Sequence, residues 1–477
     1  MNNINGVVAT TKFRSLLLSF LFVNFILQAT TIKGFAVLPT TATATTKAIK
    51  TSSRTRVAFL AFTEDRKKRK MQASSTDESQ AIESLVKEAE EMASRAKAGA
   101  PLLDSELDGI IKSLQNLAPA KGEGGEEEIN WDNLRALLSE AAHLPHKDWD
   151  KTGQSAESLR SILLGDSESL TETFRKIFGR VISEGNWDGA ASHASEHNQD
   201  NKPWAVLVTG VNGIRKTTSI YQPWFDELLA EALVTPPAAA GKKDTPNQKL
   251  PVGSNSFFRQ LDHMIATLTN EEFKRLYTLT QQSLPPSDGA IKPDADTVKR
   301  YSDLKAAIFT RYRTLSEILG VLLVREARRG KLNTMAETSG RDIAMFHYID
   351  KFFPVESYNK LALHFTINDL SCAEQSVDSR MVGEISDGID AKESGDTMNI
   401  VLANAGGPYG SEVLHGVQAD SDRVWDELVM KGGKDDVGGD WYKATIAIDA
   451  HPTKKWTATP IRPDGSRGKT FTFENKK

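Results

Sequence analysis

The residues with the clearest chemical content are Gly210-Val211-Asn212-Gly213-Ile214-Arg215-Lys216-Thr217-Thr218, directly after the apolar run Ala205-Val206-Leu207-Val208. They fit the pattern G-x-x-x-x-G-K-[ST] at every position but one, because Arg215 stands where the last glycine belongs. In the order strand, glycine-bearing turn, helix start, consecutive backbone N–H groups form a concave nest for phosphate, and the helix dipole adds its positive end. In such a loop Lys216 reaches the β- and γ-phosphates and Thr217 places its hydroxyl on Mg²⁺. Gly210 and Gly213 permit the tight turn. Lys216 is expected to face solvent while the site is empty. Arg215 either obstructs the nest or pairs with phosphate bidentately. The competing expectation is a strand–turn–helix that binds nothing.

A second segment with chemical content is Asn333-Thr334-Met335-Ala336-Glu337-Thr338-Ser339-Gly340-Arg341-Asp342. A short strand ends in an acid, and a small polar turn leads into the amphipathic Ile343–Ile349 stretch. Function in open α/β sheets gathers at the carboxyl ends of strands. Glu337 is therefore placed to hold Mg²⁺ through water or to orient a nucleophile, unless Ser339 merely caps a helix beside an exposed Glu337.

The elements that must position these residues follow from periodicity. Residues from about 77 to 185 repeat apolar positions at helical spacing, as in Leu134, Leu137, Leu138 and Ala141. They predict a helical segment with no chemistry of its own, followed by a loop from 185 to 201. After the first strand a helix starts at Lys216, and Pro223 kinks it or ends it early. Helices are expected over Phe257–Ile265, Phe273–Tyr277 and Tyr301–Arg329, a large helical insertion before the next strand. Further strands are expected at Leu361–Ile367 and Asn399–Asn404. Alternation at Ala444, Ile446, Ile448, Ala458, Phe471 and Phe473 suggests closing hairpins.

Composition sets outer bounds. A length of 477 residues allows two or three domains, and 39% hydrophobic with 26% charged residues is globular usage. A net charge of −4 argues against a nucleic-acid partner, whose footprint is basic. The lone Cys372 excludes an intrachain disulfide framework and a cysteine zinc site. His193 and His197 share an i, i+4 spacing within a polar segment that reads better as solvated than metal-binding.

The N-terminus reads as an address. Lys12 and Arg14 precede an apolar run from Ser15 to Leu27, the length of a signal-peptide core rather than a membrane span. The following stretch is rich in Thr, Ser, Lys and Arg, and the first acid in the chain is Glu64. Gly34-Phe35-Ala36-Val37-Leu38-Pro39 resembles the junction in two-part plastid-targeting segments of algae with complex plastids. The resemblance implies delivery to such a plastid, with secretion as the alternative, and a mature form without a stable membrane span.

At the two motifs the chain resembles two branches of the phosphate-loop NTPases. Gly210-Val211-Asn212-Gly213 with Lys216-Thr217-Thr218 is similar to the G-x-N-G-x-G-K-T-T loop of signal-recognition-particle GTPases. Glu337-Thr338-Ser339-Gly340-Arg341 loosely echoes their D-T-A-G-R. No guanine-reading [NT]-K-x-D follows, since Thr366-Ile367-Asn368-Asp369 lacks the lysine. The Glu337-Thr338-Ser339 sequence also resembles the strand-end acid and hydroxyl residue of zeta-toxin-like small-molecule kinases. The resemblance implies a three-layer α/β phosphate-loop core preceded by a helical N-terminal domain, and the patterns above add a large helical insertion, a departure from the most compact such proteins, and a short β-rich C-terminus. The corresponding segments are 1–70 for targeting, 71–200 helical, 201–430 nucleotide-binding and 431–477 β-rich.

The function expected from these readings is ATP-dependent phosphotransfer to a small molecule. Residues 210–218 would cradle the nucleotide, Thr217 and Glu337 would hold Mg²⁺, and Arg341 or Arg380 would clamp substrate or transition-state charge. A GTPase or ATPase switch and a non-catalytic scaffold that binds a protein partner are the alternatives.

Overall fold

The computed structural model describes residues 83–84, 87–88, 90–119, 129–198, 201–233, 249–284, 293–404, 406–430, 441–462 and 464–474. The targeting segment expected at 1–70 lies outside them. Residues 75–477 form one compact unit, so the helical, central and C-terminal segments expected separately share a single body.

The fold is mixed α/β around one seven-stranded sheet of order β2-β3-β1-β4-β5-β6-β7. Its strands are β1 (Trp204–Thr209), β2 (Ser256–Arg259), β3 (Asn333–Glu337), β4 (Asn359–Ile367), β5 (Tyr442–Asp449), β6 (Thr457–Ile461) and β7 (Phe471–Thr472). β2 through β5 and the central β1 run parallel, and β6 and β7 add an antiparallel margin. Every residue of β1 is buried, as expected of a parallel strand covered on both faces.

The connections fix where a ligand can approach. From β1 the chain passes β3 to reach β2, and from β3 it passes β1 to reach β4. Neighbouring strands whose connections diverge open a crevice beyond their carboxyl ends. β1 and β3 are that pair, with Val208 beside Glu337. Beyond the strands the two chains stay zipped, as Thr338 N donates to Val208 O and Gly210 N to Ser339 O.

Several expectations change. The Phe257–Ile265 run is not one helix: Ser256–Arg259 is strand, and the helix Leu261–Leu268 follows. A short apolar run does not declare its period, and pairing with β3 decided it. Asn399–Asn404 is no strand either. It lies in and at the end of the helix Thr397–Ala403, capped by the Asp396 carboxylate accepting from Asn399 N at 3.0 Å. The loop expected at 185–201 holds the helix Trp187–His197, on which the His193 and His197 rings meet at a tilt with centroids 4.7 Å apart. The alternating C-terminal segment is more than hairpins, because β5 pairs parallel with β4 inside the sheet.

Pro223 lies past the end of the short helix Lys216–Ile220. The long inserted helix spans Ala295–Arg329, starting at an Asp294 cap. Among the described residues no helix is long and apolar enough to cross a membrane.

Candidate functional site

β1 delivers the loop 210–215 to the crevice, and backbone conformation there explains the residue types. Gly210 has φ +124° and Gly213 +84°, and a Cβ on either would lie 2.5 Å or less from a backbone oxygen, Phe365 O and Ala373 O respectively. Arg215, at the position where the motif has glycine, also sits at φ 62°. The loop keeps the shape a glycine would give, with an L-residue in the left-handed region. Val211 and Ile214 are buried, anchoring the loop, and Thr218 is exposed on the helix. The backbone N–H groups of residues 212–216 find no acceptor among the described residues, so they form an open donor array at a helix start.

The Arg215 guanidinium does not curl into this array. Its carbon lies 4.3 Å from the centroid of Trp456 and 5.5 Å from that of Phe473. Cation–π contact with the C-terminal strands holds the side chain, so what position 215 offers the nest is its backbone N–H.

Lys216 is buried, not solvent-facing as expected. Its Nζ donates to Gly210 O at 2.7 Å and Val211 O at 2.6 Å, and lies 3.0 Å from Glu337 Oε1. Thr217 Oγ1 donates to the other Glu337 oxygen at 2.9 Å. Three residues singled out from sequence, 120 positions apart, thus meet at the β1–β3 crevice. An anion in the donor array would give the ammonium a partner in place of the loop carbonyls. The oxygens of Thr217 and Glu337 are hard donors that suit Mg²⁺, which takes few protein ligands and completes its shell with phosphate and water. Among the described residues no group of three or more His, Cys, Asp or Glu could hold a metal alone.

The two arginines take different places. Arg341, after β3, lines the main cavity, its Nη2 3.3 Å from Tyr409 Oη. Arg380, on the helix Leu370–Ser394, donates to Gly407 O at 3.0 Å and pairs with Glu384. It fastens the Gly406-Gly407 turn, which packs against Asn212 of the loop so closely that a Cβ at Gly407 would sit 2.6 Å from Asn212 Nδ2.

The cavity, about 580 Å³, opens at the ends of β1, β2 and β3 and includes Asn212, Thr217, Glu337, Asp262 and Arg313 in its wall. The sequence analysis missed Asp262, which starts the helix after β2. Burial, opposed by Lys305 and reinforced by the charge of Glu337, pushes its carboxyl up to about 6. Its signal lies in β2: an acid three residues past a strand end reaches the crevice, and the apolar run that hides the strand hides the acid with it. Glu317 lies deeper. Burial works against its charge, yet Arg259 and Arg313 outweigh that and hold its carboxyl down at about 2. The helical segment also contributes, against expectation: His143, His146, Lys147 and Trp149 line the same cavity.

Comparison of the chain with family models, curated proteins and solved structures returned no match.

Proposed function

We propose that this protein is an ATP-dependent phosphotransferase of the phosphate-loop kinase type, acting on a small molecule. The observation that carries the reading is the convergence of Lys216, Thr217 and Glu337 beneath an unsatisfied array of backbone donors. In this reading the 212–216 N–H groups and Lys216 bind the β- and γ-phosphates. Thr217 and Glu337 would hold Mg²⁺, which would supply charge neutralisation of the phosphates.

Asp262 is the acid suited to general-base work, because a carboxyl near 6 is mostly ionised at neutral pH yet basic enough to take a proton. It removes the proton of an acceptor hydroxyl. That oxygen bonds to the γ-phosphorus, the bond to the β–γ bridging oxygen breaks, and ADP leaves. Lys216 stabilises charge on the transferring group.

A thermal-shift comparison of ATP, GTP and ADP, each with and without Mg²⁺, tests the reading. Stabilisation by Mg·ATP above Mg·GTP supports it. Preference for GTP would favour a switch, and no shift with any nucleotide would leave a scaffold.

A further inference from the structure

We infer that the acceptor is a small hydroxyl compound that carries an anionic group, phosphate or carboxylate, held by Arg313 and Arg341 in the wall of the same cavity. The inference rests on the phosphotransferase reading and adds the chemical class of its second substrate. Three observations carry it.

First, Arg313 shares its carboxylate with a second guanidinium and is itself partly exposed. Arg259 and Arg313 converge on the single carboxylate of Glu317, at 2.5 and 2.8 Å. Arg259 is fully enclosed and can be neutralised only there, whereas Arg313 is 34% exposed toward the cavity. One carboxylate balances one guanidinium, so the Arg313 charge is met beyond Glu317 only by the Asp262 carboxylate of the same cavity and by an incoming anion. The Arg313 Nη1 makes no hydrogen bond among the described residues, which leaves a donor for an incoming anion.

Second, the potential of the cavity is already felt by its neighbours. His146 is pushed below its usual range by burial and then by Arg313. Both influences disfavour its charged form. Arg341 is exposed on the same cavity and, among the described residues, held by the hydroxyl and ring face of Tyr409, contacts that a bidentate anion can outcompete.

Third, the cavity exceeds what a triphosphate tail needs. Its wall reaches from Thr217 and Glu337 past Asp262 to Arg313, so an acceptor whose hydroxyl meets Asp262 has room to extend its anionic end to the arginines.

Inorganic phosphate serves as the probe. The full chain is first saturated with Mg²⁺ and a non-hydrolysable ATP analogue, so that the loop is filled, and phosphate is then titrated by calorimetry against chloride at equal ionic strength. Phosphate is expected to bind the loaded protein, with Arg313→Gln weakening it at least tenfold and leaving analogue affinity unchanged. If Arg313→Gln disturbs the Glu317 cluster enough to lower folding, Arg341→Gln gives the same comparison on an exposed side chain. Absence of phosphate binding to the loaded wild type, or equal binding by the variants, overturns the inference. Failure of the analogue itself to bind would overturn the phosphotransferase reading instead.

Discussion

At the scale of single residues, burial decides what Lys216 and Asp262 can do. Lys216 bridges two loop carbonyls and Glu337, so Lys216→Ala removes charge-assisted bonds and strands a carboxylate. The expected cost is about 1–3 kcal/mol of stability, together with loss of any Mg·ATP-dependent rise in melting temperature. A variant stabilised by Mg·ATP as well as wild type would show that phosphate binds elsewhere. Asp262 has its folded pKa raised above the ordinary carboxylate value. The ionised form is therefore disfavoured in the folded state, and stability falls as pH rises from about 4 through 6. Asp262→Asn should stabilise the protein by about 1–2 kcal/mol at pH 7.5 and by little at pH 4. Phosphotransfer should decline as pH falls through about 6 in wild type and be low at every pH in the variant. Melting curves at the two pH values and a pH–rate profile check both limbs.

At the scale of elements, the loop between β1 and its helix is a backbone device. Gly213→Ala would put a Cβ 2.4 Å from Ala373 O at a φ of +84°. The loop must move, and the expected outcome is destabilisation of about 2–4 kcal/mol with loss of nucleotide binding. Denaturant melts and nucleotide titration would show it, and an unchanged melt would mean the loop tolerates another path. Arg215→Gly makes the opposite change. It relieves a left-handed L-residue, worth about 1–2 kcal/mol, but loses the stack on Trp456, worth about 0.5–2 kcal/mol. The two effects nearly cancel, so stability should move by less than about 1 kcal/mol and Mg·ATP affinity by less than about threefold. A tenfold change of affinity in either direction, read by calorimetry, would place the guanidinium among the phosphates.

At the scale of the whole molecule, the helical segment is stitched to the inserted helix rather than appended. Arg311 pairs with Glu106 at 2.7 Å, Arg160 with Glu326 at 2.9 Å, and Arg325 donates to Gly153 O at 2.8 Å. A chain beginning at residue 201 would lose these bonds and expose to water the apolar surface of the inserted helix that the Trp149–Leu164 helix packs against, at about 25 cal/mol per Å², within reach of the entire stability of a domain. Such a chain should fail to fold cooperatively, while residues 75–477 should unfold in one transition. Calorimetry of both forms checks this, and a folded, cooperative 201–477 fragment would contradict it.

The sequence alone was enough for what local rules encode. The buried β1 run, the glycines of the 210–213 turn, the helix start at Lys216 and the strand-end position of Glu337 follow from burial periodicity, φ requirements and turn chemistry, each settled within a few neighbouring residues. The α/β class follows from the same patterns. What tertiary structure decided is everything that depends on residues far apart in sequence. Ser256–Arg259 became strand because β3 lay ready to pair with it, although its apolar run fits a helix equally well. Asp262 acquired its raised pKa from burial and Glu337, 75 positions away in the chain, which no local pattern registers. Arg215 turned to Trp456, a partner supplied by strands at the far end of the sequence. The helical segment became cavity wall because its packing against the helix Ala295–Arg329 set His143 and Trp149 beside the strand ends. Periodicity reports which face of an element is apolar, and only three-dimensional packing reports what that face meets.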